Sequence, residues 1–177
     1  DIIRHMQYNI HPIVVHFPIA LLFFYSLIKI VPFYKWFPNV SWRHIERFLL
    51  IFGFLGALVA RMTGEIAAKI TYPDPKVLNM HSLFAFLTVL FYGMLVFGEA
   101  LYFFNQKFTN KLNKNLRVSF LIGLEKVLNN RFVSVLLALL GLLSIFTTGL
   151  LGGVMVYGIS ADPLALSVLD LLGLNIY

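Results

Sequence analysis

From Phe132 to Tyr157 the chain carries no Asp, Glu, Lys or Arg, a run longer than the roughly 20 mostly apolar residues that a helix needs to cross the hydrocarbon core of a bilayer. Three further stretches are long and predominantly apolar: Pro12 to about Tyr34, about Ile45 to Ile70, and Pro75 or Val77 to Phe104. The chain as a whole is 59% hydrophobic and 12% charged, against about 25% charged residues in an ordinary soluble domain. Lipid is therefore the expected solvent. Four spans and their connections use nearly all of the 177 residues, so any function must sit in the bundle or on its short loops. The expected fold is all-α, a four-helix transmembrane bundle forming one domain over residues 1–177.

Local signals mark the span boundaries. His11-Pro12 opens the first span with proline where a missing N–H costs nothing, and Pro18 is expected to kink that span near His16. Asp74-Pro75 reads as a cap and first-turn pair for the third span, and Asp162-Pro163 as another, opening a short segment from Leu164 to Leu172 that Gly173 closes. Between the third and fourth spans, Leu116 to Leu128 is apolar on most faces but interrupted by Arg117, Glu125 and Lys126, which predicts a short interfacial helix. The sequence begins at Asp1 rather than Met, with no readable cleavable signal, and the first span is expected to direct insertion itself.

Orientation follows from the sidedness of lysine and arginine. Lys29, Lys35, Arg43, Arg47, Lys107, Lys111, Lys114, Arg117, Lys126 and Arg131 fall at one end of the spans, ten in all, against Arg4, Arg61, Lys69 and Lys76 at the other. The ten are expected in the cytoplasm, giving an N-out/C-out topology. This sorting also explains the net charge of +6 without nucleic acid as a partner, since no basic soluble face is present. Small residues at four-residue spacing predict close helix packing along Gly56, Ala60 and Gly64, and along Gly149 and Gly153. Tyr34, Trp36, Trp42 and Tyr72 fit interfacial aromatic belts.

The candidate chemistry lies in the histidines. His5, His11, His16 and His81 fall at the outer end and only His44 at the inner, and a ligating residue inside a span usually serves a site or a partner. His16 and His81 enter parallel first and third spans at matching depth. If the helices go round in sequence order those spans are diagonal, with axes ~12 to 14 Å apart, a separation at which two imidazoles meet across one macrocycle. His16 and His81 are accordingly the candidate axial ligands of a b-type haem, with His11 as a further cofactor-binding candidate. His11 lies five residues earlier, roughly 140° round the helix from His16. Simple hydrogen bonding within the bundle is the competing reading of each histidine. Arg61, deep in the second span, needs a partner: either Glu65 four residues on or an anionic ligand such as a haem propionate or lipid head group. Glu99 reads as a solvated or lysine-paired interfacial residue.

The absence of cysteine excludes disulfides, thiolate metal sites, iron–sulfur clusters and c-type haem attachment through this chain. No nucleophile set, Gly-rich phosphate loop or HExxH helix is present, so no catalytic residue is expected.

The segment His11-Pro12-Ile13-Val14-Val15-His16-Phe17-Pro18-Ile19-Ala20 resembles the opening signature of a family of small four-span prokaryotic membrane proteins, domain of unknown function 2231. The resemblance continues through Thr63-Gly64-Glu65-Ile66-Ala67, His81 and Gly152-Gly153-Val154-Met155-Val156-Tyr157. It implies a prokaryotic cytoplasmic membrane and, because some members are joined to or encoded near Rieske and other redox proteins, a respiratory electron-transfer setting with cytochrome or iron–sulfur partners. Family members commonly carry a histidine shortly after the last tyrosine, where this chain has Gly158-Ile159-Ser160.

Three functions fit these features. The first is a b-haem electron-transfer subunit, with His16 and His81 as ligands and Arg61 near the propionates. The second is a binding or transport protein holding copper or zinc through His11, His16 and His81. The third is a cofactor-free subunit that anchors a larger membrane complex.

Overall fold

The computed structural model describes residues 9–108 and 116–174. Among them are seven α-helices: α1 His11–Ile30, α2 Phe33–Trp36, α3 Trp42–Thr71, α4 Pro75–Phe108, α5 Leu116–Leu128, α6 Arg131–Tyr157 and α7 Ala165–Leu171. A single 3-10 turn, Ile159–Ala161, joins the last two. Four helices, α1, α3, α4 and α6, are long and apolar enough to cross a membrane.

Each boundary has a local cause. Asn9 Oδ1 accepts from the His11 backbone N–H at the start of α1. That helix ends at Ile30, short of the expected Tyr34, because Val31 precedes Pro32 and takes up an extended ψ of 130°, the conformation that a following proline imposes. Pro18 does not interrupt α1 and lies buried in its inner face. Tyr72 ends α3 in the left-handed region at φ +46°, and two residues later Asp74 Oδ1 accepts from the N–H groups of Lys76 and Val77, so the chain reverses in one tight link. Asn130 caps α6 in the same way. Gly173, at φ +68°, closes α7 with bonds from its own N–H to Asp170 O and from Leu174 N–H to Leu169 O, a Schellman end.

The spans pack as two antiparallel hairpins. α1 lies along α3 and α4 along α6, and the hairpins meet through α1 with α6 and α3 with α4, which leaves α1 and α4 diagonal. One end of the bundle holds Lys29, Arg43 and Arg47 and is called here the basic end. The other, with His11 and His81, is the His end. The main core lies toward the basic end, around Leu22, Tyr25, Leu50, Tyr92 and Leu95, with Leu128 of α5 closing it. A smaller core at the His end gathers Val77, Leu151 and Val154 under Ala165, Leu169 and Leu174 of the α7 segment.

The glycines divide sharply. A Cβ at Gly56 would stand 3.2 Å from Pro18, and one at Gly64 3.1 Å from the His11 ring, so the expected ridge on α3 is a real contact with α1. The expected ridge at Gly149 and Gly153 is not: nothing lies within 4 Å of either position. The packed face of α6 runs through Leu137, Gly141, Ser144 and Leu151, and Gly153 stands roughly 120° away from Gly141.

Candidate functional site

Which histidine faces the bundle is decided by helix phase. The buried residues of α1 are Pro18, Leu22, Tyr25 and Ser26. His11 precedes Pro18 by two turns and falls within roughly 20° of that stripe, whereas His16 precedes it by two residues and falls roughly 160° away. His11 is accordingly half-buried, and His16, expected to face inward, is exposed, its Nδ1 paired with the Pro12 carbonyl of its own helix. On α4, His81 shares the stripe of Val77, Thr88 and Tyr92 and is half-buried. The structure thus turns His11 and His81, on diagonal helices at the same end of the bundle, toward its interior.

Each imidazole is oriented by the partner helix of its own hairpin. His81 Nδ1 lies 3.0 Å from the carbonyl oxygen of Thr148 on α6, an atom that only accepts, so Nδ1 carries the proton. His11 Nδ1 lies 3.0 Å from Thr63 Oγ1 on α3, and that hydroxyl gives its one proton to the Ala60 carbonyl at 3.0 Å. With the hydroxyl proton so placed, His11 Nδ1 donates to Thr63 Oγ1. The Thr148 carbonyl thus leaves Nε2 of His81 as the unprotonated nitrogen, and the same hydrogen-bond pattern assigns it so in His11, the arrangement in which a backbone or side-chain oxygen orients a ligating imidazole. Gly64 and Gly152 are, among the described residues, the glycines whose missing Cβ faces a histidine, His11 Cε1 at 3.1 Å and His81 Cε1 at 3.4 Å.

The other candidates lie elsewhere. Arg61 is exposed on α3, its guanidinium 5.8 Å from the Phe86 ring centroid; it forms no ion pair with Glu65 and no hydrogen bond with either histidine. His44 is exposed at the basic end, and His5 lies outside the described residues. Glu99 is paired, with Arg47 rather than a lysine, at 2.7 Å. Among the described residues no three histidine or carboxylate side chains converge as metal ligands, so His11, His16 and His81 do not form one cluster.

Thr63 and Thr148 went unread as orienting residues. Thr63 stands in the Thr63-Gly64-Glu65 motif, and Thr148 lies one turn before Gly152. A threonine-to-glycine step beside each histidine contact was the available signal.

A model of the family described as Predicted membrane protein (DUF2231) matches residues 7–162, which takes in all four spans, both histidines and both threonines. The chain belongs to this family. Comparison with curated proteins and with solved structures gave no match. For this family member the description extends only to the membrane, in keeping with four apolar helices.

Proposed function

We propose that the chain is an electron-transfer protein of a prokaryotic cytoplasmic membrane that carries one b-type haem between its two hairpins, with His11 and His81 as axial ligands. The observation that carries the reading is the pair of Nε2 lone pairs: two imidazoles from diagonal helices, each held in the ligating tautomer by an oxygen on a third or fourth helix. Two protein donors are too few for a zinc or copper site of three or four ligands, but they suit an iron that brings four nitrogens of its own. Gly64 and Gly152 supply backbone clearance beside the two rings.

Bound there, the haem would supply one-electron exchange, at a potential set by its axial ligands and the low dielectric around them. The chain's own part is to hold the two imidazoles, to fix their protons on Nδ1, and to exclude water. Arg61, exposed on α3 with its guanidinium 5.8 Å from the Phe86 ring centroid of α4, would be the cation offered to propionates that emerge between those two helices. The ten-to-four sorting of basic residues supports an N-out/C-out topology with the His end outside, open to a cytochrome or iron–sulfur partner.

The test is a reduced-minus-oxidised spectrum of protein purified from cells with ample haem supply. A low-spin Soret and α band is expected in the wild type, in His16→Ala and in His44→Ala, and its loss or conversion to high spin in His11→Ala and His81→Ala. Loss in His16→Ala with retention in His11→Ala would move the ligand to the outer face of α1. No Soret band in the wild type would sink the haem reading and favour the anchoring subunit.

A further inference from the structure

The basic end of the bundle holds a cleft of about 370 Å³, lined by residues that include Lys29, Tyr34, Trp42, Arg43, Glu46 and Glu99. Its lining carries Lys29 and Arg43 against two carboxylates, with Arg47 beside it on Glu99. Each carboxylate is half engaged: Glu46 Oε2 meets Lys29 Nζ at 3.0 Å and Glu99 Oε2 meets Arg47 Nε at 2.7 Å. The second oxygen of each, Oε1, has no protein partner among the described residues, and no side-chain oxygen is sealed away without one, so both are open to a ligand. Arg43 is half engaged too. Its Nη1 donates to Tyr102 OH at 3.0 Å and its plane lies 3.8 Å from the Tyr102 ring centroid, which fixes the guanidinium and leaves Nε and Nη2 as donors.

The surroundings of the cleft are those of a bilayer interface. Beside it, α2 exposes Tyr34 and Trp36, and Phe37 follows, while Trp42 stacks on Phe33 and donates to the Phe37 carbonyl. Amphipathic rings of this kind sit at head-group level.

We propose that this cleft binds the head group of a phospholipid carrying a primary amine, its ammonium on Glu46 and Glu99 and its phosphate diester on Arg43. An ammonium has N–H donors for both open carboxylate oxygens. A trimethylated amine has none, so a choline lipid leaves those oxygens unpaired. A purely anionic lipid brings no cation for the two carboxylates in its path. The inference is independent of the haem.

The test uses the full protein, delipidated in detergent and offered phosphatidylethanolamine, phosphatidylcholine and phosphatidylglycerol at equal mole fraction, with retained lipid read by native mass spectrometry and thermal unfolding followed alongside. One phosphatidylethanolamine is expected to be retained, favoured by about tenfold or more, the scale of one hydrogen bond to a charged group. Glu99→Gln should lower the preference over phosphatidylcholine. Arg43→Gln, which breaks no protein ion pair but gives up the Tyr102 contact, should weaken retention of phosphatidylethanolamine itself in protein that still shows a cooperative thermal transition. Equal retention of phosphatidylcholine, preference for phosphatidylglycerol, or no retained lipid would each overturn the proposal. Displacement of the lipid by water-soluble glycerophosphoethanolamine at equal concentration would overturn it too, by making a soluble compound the ligand.

Discussion

At the basic end hydrogen bonds and an ion pair tie the two hairpins to each other, whereas at the His end the hydrogen bonds run within each hairpin. There the hairpins meet through looser contacts, such as the Arg61 guanidinium 5.8 Å from the Phe86 ring centroid. Tyr92 of α4 crosses the bundle axis to Ser26 of α1 at 2.7 Å, Ser26 bonds the Ala138 carbonyl of α6 at 3.3 Å, and Arg47 of α3 pairs with Glu99 of α4. At the His end, His11 is bonded to α3 and His81 to α6, and no hydrogen bond among the described residues joins one hairpin to the other. In lipid, helices associate through packing and interhelical hydrogen bonds rather than a hydrophobic driving force. The basic end is therefore the clasp of the bundle. The His end holds the half-buried imidazoles and a smaller core of its own.

The largest effect expected from this difference is at Tyr92. Its side chain is fully buried, meets Tyr25 edge-on at 6.1 Å and carries the cross-axis hydrogen bond. Tyr92→Ala should lose about 3 to 5 kcal/mol, the range for removing a large buried ring, measured by unfolding in a detergent titration. A loss below 1 kcal/mol would show that the clasp lies elsewhere. Next in size is Gly141→Ala, whose new Cβ would stand 2.7 Å from the Tyr92 ring. Overpacking of this kind costs about 1 to 3 kcal/mol, and Tyr92 has no free space into which to retreat.

A smaller loss is expected at the His end. His81→Leu removes a donor from the Thr148 carbonyl, which should cost about 1 kcal/mol, well under the penalty at Tyr92. Its effect on a haem spectrum should by contrast be complete. If His81→Leu unfolds the protein as readily as Tyr92→Ala, the imidazole is part of the clasp and the contrast between the two ends fails.

What could be read from the chain followed from length and polarity. Twenty-odd apolar residues fix a span wherever they occur, and Pro12, Asp74 and Gly173 punctuate the helices by local chemistry that needs no tertiary context, as does Asn130, whose cap on α6 emerged only in the structure. Helix phase was not legible. α1 is apolar nearly all round, so its hydrophobicity does not say whether His11 or His16 faces inward, and depth alone favoured His16. The phase is set by Pro18 and Leu22 seating against Gly56 and Gly53 of α3, a contact between hairpin arms. Gly141, one of the tightest positions in the bundle, has no sequence signature that separates it from Gly149 or Gly153. The ion pair of Lys29 with Glu46 was hidden for the same reason, since it joins the last turn of one span to the first turns of the next.

The smallest effect is expected at Gly153, and it tests the phase argument most directly. In water Gly153→Leu would add an exposed apolar side chain, but in a bilayer that side chain enters lipid and meets no packed neighbour, since the position is open to 4 Å. Leucine also favours the helix over glycine by several tenths of a kcal/mol. The substitution should therefore be neutral or slightly stabilising, within about 0.5 kcal/mol, while the same change at Gly141 prevents folding. A large loss at Gly153, with Gly141→Ala still destabilising, would mean that the open glycine face of α6 is covered by a second helix outside this chain. Gel filtration of wild type and Gly153→Leu separates the outcomes: a shift to smaller size in the variant marks a broken oligomer, and an unchanged profile with unchanged stability leaves the face to lipid.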